Sequence, residues 1–256
     1  MMKRFIFSIF LLPLLLASPQ TKAQGIMLTP KWTAQAQFTG YYVADKLGFY
    51  KEEGIDVCVQ HPAISESSFS FMEKGRAPVV IMNLSYAFME RLAGARVVNV
   101  MQTSQENSLM LISHSPLKGE ESLRNQKIAV WNHLSQKLLD RLAEHYALKQ
   151  VEWIRFNSGV NVFLSGAADP CLVGSYNEYL QLSEYGMNVD SIYSIRLADY
   201  GYNLPEDGLY VTEEFYNQYP EVVRKLVKAS MRGWAWTNEH REEALDMVME
   251  EVKKGN

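Results

Sequence analysis

The chain has 256 residues, of which 47% are hydrophobic, and a formal net charge of −4. No basic stripe interrupts it, which argues against nucleic acid as a partner, and the length suits one large domain or two lobes of ordinary size. Its two cysteines, Cys58 and Cys171, cannot by themselves build a structural zinc site and read as two buried thiols or, in an oxidising compartment, as a pair.

At the N-terminus, Lys3-Arg4, an apolar run over 5–17 and the small residues of 21–23 follow the order of a secretory signal. The run is shorter than the roughly 20 apolar residues of a membrane span. Residues 1–23 are therefore expected to be a cleaved signal peptide and the mature chain to be periplasmic or extracellular. A strand over 26–32 follows. Next comes a helix over 38–47, with Tyr41, Tyr42, Ala44 and Leu47 at helical spacing and Gly48 as its stop. Strands over 55–59, 78–82 and 96–103 alternate with helices over 65–73 and 85–92. A second block opens near Ser115-Pro116. It predicts strands over 127–131, 151–156 and 170–173, an amphipathic helix over 134–148, and shorter helices over 160–165 and 175–184. A strand over 208–211 and helices over 220–236 and 240–253 complete the chain.

Steady alternation predicts an α/β fold with mostly parallel sheets and helices on their faces. Two blocks with a return crossing near 197–209 predict two lobes. Lobe I is expected over 24–112 plus 205–256, and lobe II over 113–204. Hinge strands near 108–115 and 197–209 would then join them, with a ligand cleft between.

Candidate site residues gather where open α/β sheets hold ligands, just after strand ends. Trp32, Gln35, Gln37 and Tyr41 follow the first strand. Trp32 and Tyr41 offer aromatic faces, with core packing as the alternative for Trp32. Gln35 and Gln37 either reach a ligand or cap the helix start. Tyr42 points to the other side of its helix and reads as core. Asn83, Ser85, Gln105 and Asn107 follow or lie near later strand ends, and Trp131 closes the strand over 127–131. The five histidines, His61, His114, His133, His145 and His240, form no metal-ligand pair and accompany no nucleophile elbow. No catalytic residue, metal or cofactor is assigned, and a binding protein rather than an enzyme is expected.

The stretch Trp32-Thr-Ala-Gln-Ala-Gln-Phe-Thr-Gly-Tyr-Tyr-Val-Ala, followed by Gly48-Phe-Tyr-Lys-Glu-Glu-Gly-Ile-Asp-Val, resembles the opening of a known family. That family is the thiamine-pyrimidine-precursor (hydroxymethylpyrimidine-type) group of ABC-transporter periplasmic substrate-binding proteins. Tyr176-Asn-Glu-Tyr, Glu206-Asp-Gly-Leu-Tyr-Val and the helix carrying Gly233-Trp234 extend the likeness along the chain. The resemblance implies a two-lobed type II periplasmic-binding-protein fold, a pyrimidine-like small-molecule ligand, a membrane ABC permease as partner, and a monomer. It also makes Tyr176, Asn177 and Glu178 the second-lobe half of the site. There Glu178 would accept from an exocyclic amino group and Asn177 would both donate and accept; the alternative for Glu178 is a solvated helix carboxylate. Two departures speak against a phosphate. Gln60-His-Pro-Ala-Ile-Ser stands where relatives carry a glycine-rich turn, and Gly75-Arg-Ala-Pro where they carry Gly-x-Ala-Asp. Two other functions fit the same resemblance: the ligand-sensing input domain of a membrane receptor, and an enzyme like the family's self-consuming pyrimidine synthases.

Overall fold

The computed structural model describes residues 25–63, 66–118, 120–131, 139–140, 143–144, 150–157 and 159–255. The expected leader and most of the helix expected over 134–148 lie outside them, as do His133 and His145. In the first sheet the strands are β1 (Ile26–Thr29), β2 (Val57–Val59), β3 (Val79–Asn83) and β4 (Val97–Gln102). The second sheet holds β5 (Leu109–Ser113), β6 (Lys127–Trp131), β7 (Glu152–Phe156), β8 (Cys171–Gly174) and β9 (Tyr193–Arg196), and β10 (Asp207–Thr212) returns to the first. Strand order is β2-β1-β3-β10-β4 in one sheet and β7-β6-β8-β5-β9 in the other.

Both sheets are mixed, where the alternation implies mostly parallel ones: four strands run one way and one is reversed, so two of the four pairings in each are antiparallel. β10 runs antiparallel to β3 and β4, and β5 runs antiparallel to β8 and β9. The cause is topological. These two strands arrive from the other sheet, so they enter at the end where the parallel strands leave. β5 thus belongs to the second sheet, which begins at residue 109. Two further elements differ from the sequence reading. β9 is an edge strand of exposed or half-exposed residues, Tyr-Ser-Ile-Arg, without an apolar run. A helix over Glu213–Gln218 starts at Thr212, whose hydroxyl accepts from Phe215 N at 3.1 Å.

β3, Val-Val-Ile-Met-Asn, has four of five residues buried because helices cover both faces of its sheet. On one face lie α1 (Thr39–Lys46), α2 (Phe49–Glu52) and, from the far end of the chain, the helices over Pro220–Glu239 and Arg241–Gly255. Phe38, Tyr42, Val43, Tyr50, Leu226 and Ala229 fill that layer. On the other face α3 (Ser68–Glu73) and α4 (Leu84–Leu92) pack Phe71, Met72 and Ala87 against Val80, Met82 and Tyr210. The second sheet likewise has two apolar faces, one built on Ile112, Phe163, Val173 and Leu182, the other on Leu111, Val130 and Leu139. Its helices are α5 (Asn161–Leu164) and α6 (Glu178–Glu184). The helices over Glu213–Gln218, Pro220–Glu239 and Arg241–Gly255 are α7, α8 and α9.

α1 and α8 meet through two glycines. A Cβ on Gly233 would lie 2.0 Å from the Gly40 carbonyl oxygen, and a Cβ on Gly40 would lie 2.4 Å from the Trp234 ring. Only hydrogen at both positions lets the backbones come this close. Both cysteines are free. Cys171 is buried as expected, whereas Cys58 sits exposed on edge strand β2. No described helix is long and apolar enough to cross a membrane.

Candidate ligand cleft

Two chain crossings join the sheets, over 103–108 and 197–206, and they are laced to each other. Gln102 Nε2 donates to the carbonyls of Ser104, Glu206 and Asp207 at 3.1, 3.2 and 2.9 Å. The Thr103 hydroxyl donates to Asp207 O at 2.7 Å. Glu206 in turn accepts from the Ser108 N–H at 3.1 Å and from its hydroxyl at 3.0 and 3.1 Å. Asn107 is buried between Tyr202 and Asn203, donating its side-chain amide to one and its backbone N–H to the other.

Against these crossings lies a cavity of about 760 Å³, within the usual range for small-ligand sites of about 300–1,000 Å³. Gln37, Met231, Trp234 and Asn238 wall it from the first lobe, and Tyr176 from the second. Thr103, Ser108, Glu206 and Asp207 supply the floor between. Among the described residues the lining has three carboxylates, Glu106, Glu206 and Asp207, and no Lys or Arg. Asp207 is buried and paired with Lys31 Nζ at 2.5 Å; Lys31 also donates to Asn83 Oδ1 at 2.7 Å. That bracket ties the loop after β1 to the end of β3 and the start of β10. Burial raises the pKa of Glu206 and nearby Asp207 adds to it, with Lys31 and Ser108 opposing.

Tyr41 is 1% exposed, and its ring meets Trp234 edge-on, with centroids 5.9 Å apart at 84°. Burial, and then Tyr50, hold its hydroxyl protonated; Thr103, Asp207 and Trp234 surround it. The Tyr41 hydroxyl stands within bonding reach of Thr103 and the Trp234 indole, whereas Gln37 Nε2 is buried without a hydrogen-bond partner. Such a group is costly unless something satisfies it.

The second-lobe half is organised around Glu178, which is 5% exposed. Its Oε1 accepts from Trp131 Nε1 at 3.0 Å and from Asn177 Nδ2 at 3.2 Å, and its Oε2 accepts from Gly174 N at 3.0 Å. Asn177 Oδ1 accepts from Gln181 Nε2 at 2.9 Å. Glu178 is therefore neither a solvated helix carboxylate nor an open acceptor. It holds the Trp131 indole and the turn that presents Tyr176, whose ring is 44% exposed at the cleft.

Of the residues expected from sequence, Gln37 and Tyr176 line the cavity, and Tyr41 stands directly behind Trp234. Trp131, Asn177 and Glu178 form one bonded unit off the cavity wall. Trp32 packs half-buried against the first-lobe core. Gln35 precedes a short 3₁₀ turn, Ala36–Phe38, without a side-chain cap. Asn83 is engaged by Lys31, and Ser85 lies in the first turn of α4, outside the lining. Gln105 is exposed and donates to Gln102 O at 2.8 Å. His61 is a tie. Its Nδ1 meets the Trp32 carbonyl, which can only accept, so Nδ1 carries the proton. Nε2 then accepts from the Tyr42 hydroxyl at 2.8 Å. Burial lowers the pKa of His61, consistent with a neutral ring.

The sequence reading missed Trp234, Glu206, Asp207, Thr103 and Ser108 as site residues. Glu206-Asp207 and Gly233-Trp234 stand within stretches that carry the family resemblance, and that signal was available.

Residues 35–244 match the family described as NMT1/THI5 like. The riboflavin-binding protein RibY of Chloroflexus aurantiacus is 29% identical over 90% of this chain and 67% of its own length. The formylaminopyrimidine-binding protein of Halalkalibacterium halodurans is 24% identical over 100% of this chain and 81% of its own. A 4-amino-5-hydroxymethyl-2-methylpyrimidine phosphate synthase of Legionella pneumophila is 22% identical over 87% of this chain and 72% of its own. Among solved structures, the periplasmic aliphatic sulphonate binding protein SsuA of Escherichia coli superposes with a TM-score of 0.69 at 14% identity, covering 90% of this chain and 79% of that one. The fold is thus the type II periplasmic-binding-protein fold expected from the sequence.

Proposed function

Since the chain belongs to the NMT1/THI5-like family, we propose that it is the extracytoplasmic ligand-binding component of an ABC importer. Its cargo would be a small uncharged or donor-bearing heteroaromatic, a thiamine-related pyrimidine or a flavin. The cavity lining carries this reading. Trp234 and Tyr176 offer aromatic surface, Gln37 adds a side-chain amide, and the carboxylates stand without a lining Lys or Arg among the described residues. Such a wall disfavours a sulfonate or a phosphate, whose charge would face Glu206 in a partly desolvated site. It suits a flat ring with both donors and acceptors on its edge. Closure of the lobes about the crossings at 103–108 and 197–206 would bury the ligand and present the closed form to a permease.

Calorimetry with an aminopyrimidine, riboflavin and an alkanesulfonate tests the reading. Binding of either heterocycle without binding of the sulfonate is expected; tight sulfonate binding with no heterocycle bound refutes it. Family membership also brings in the synthases. Binding is favoured over turnover because both ring nitrogens of His61 are committed, to Trp32 and to Tyr42. Conversion of a bound pyrimidine, lost on His61→Asn, would overturn that part.

A further inference from the structure

We propose that Glu206 reads the amidine edge of an amino-substituted heterocycle and that the ligand is held as its ring-protonated cation. The proposal rests on the reading of the cleft as a heteroaromatic site and narrows the chemistry it takes.

The three carboxylates of the lining are not equivalent. Asp207 is neutralised by Lys31 at 2.5 Å, and Glu106, at the exposed rim, has Arg196 at 3.9 Å. Among the described residues Glu206 has no basic group in ion-pair contact. Its oxygens take only the neutral donors of Ser108, at 3.0–3.1 Å. A carboxylate has about four acceptor positions, so both oxygens keep capacity after those bonds. Ser108 also fixes the carboxylate in place before any ligand arrives, which lowers the ordering cost of binding.

What completes such a group is a pair of parallel N–H donors. A neutral 4-aminopyrimidine offers one donor, the exocyclic amine, beside a ring nitrogen whose lone pair would face a carboxylate oxygen. A proton taken from solvent at that ring nitrogen turns the repulsive contact into a second hydrogen bond, and the amidinium then matches the carboxylate fork. The cation also gains from an aromatic face, which Trp234 and Tyr176 supply. Glu178 cannot serve in this way, because its oxygens already take three donors from its own lobe.

The test is calorimetry on the full chain at neutral pH, repeated in buffers of different ionisation heat. The ligands are 4-amino-2-methylpyrimidine, the matching pyrimidin-4-one, and riboflavin. The aminopyrimidine is expected to bind with uptake of about one proton. It should bind roughly 10–100-fold tighter than the pyrimidinone, a preference lost in Glu206→Gln. Proton uptake is read on the unmodified protein, so it stands even where the variant folds poorly. Aminopyrimidine binding without proton uptake, or pyrimidinone binding as tightly, overturns the proposal. Riboflavin binding with no aminopyrimidine bound overturns it too, while leaving the cleft a heteroaromatic site. Binding of none of the three overturns both.

Discussion

Replacing Gly233 by alanine sets two effects of opposite sign against each other. Gly233 lies in the interior of α8, a helix of 20 residues, where alanine is preferred over glycine by about 1 kcal/mol on intrinsic propensity. Considered alone, the substitution stabilises. The new Cβ would lie 2.0 Å from Gly40 O and 3.0 Å from Ala44 Cβ. Relief to even 3.0 Å requires α1 and α8 to part by about 1 Å, and the obstacle is backbone, which has no rotamer to change. Overpacking of this kind costs about 1–3 kcal/mol, occasionally more. The same movement stretches the buried Tyr50–Ser230 hydrogen bond, now 2.9 Å, which contributes about 1 kcal/mol. The clash wins, with a net loss of about 1–3 kcal/mol, or a melting temperature lower by about 2–12 °C. Thermal or urea unfolding followed by circular dichroism measures it. A variant that melts at or above the temperature of the parent refutes the claim that backbone contact, and not helix propensity, decides this position.

Glu178→Gln places an amide donor against the Trp131 indole or the Gly174 N–H and is expected to cost about 1–3 kcal/mol, read from the urea midpoint alongside tryptophan fluorescence. Lys31→Ala leaves Asp207 buried without its cation and should cost about 3 kcal/mol, the low end for a broken buried pair because the lysine side chain keeps 21% exposure; an unchanged midpoint would mean that the pair contributes nothing. His61 has a lowered pKa in the fold, so its contribution is complete above the unfolded value of about 6.5 and is lost as the pH falls through the folded value. Stability should therefore decline on acidification from about pH 6.5 down to the folded value, and His61→Asn should flatten this part of the profile.

How much was visible beforehand depended on burial. β3 and β6 carry apolar runs because both faces of their sheets are covered. Edge strand β9 has no such run, since only β5 and solvent border it. Leu109–Ser113 reads as a hinge strand, because its pairing partners, β8 and β9, follow much later in the chain. Of the cavity lining, Gln37 was singled out by its place after the first strand, and Tyr176 only through the resemblance of Tyr176-Asn-Glu-Tyr. Trp234 was not legible from its local pattern, since a tryptophan on an amphipathic helix looks the same whether it faces a core or a cleft; only the resemblance around Gly233-Trp234 pointed to it. Glu178 was singled out, but nothing local could show that Trp131, 47 positions away, already occupies its carboxylate.

The reversed strands also bear on how the chain is assembled. The second sheet draws on one continuous stretch, 109–196, whereas the first sheet needs β10 between β3 and β4 and the helices that follow it. As a polypeptide leaves the ribosome, the segment that emerges first lacks its fourth strand until the last quarter of the chain is synthesised. The lobe begun first is therefore finished last, and it must wait with the edges of β3 and β4 unpaired. A chain halted before residue 207 should yield a protease-resistant second lobe and a digestible first one.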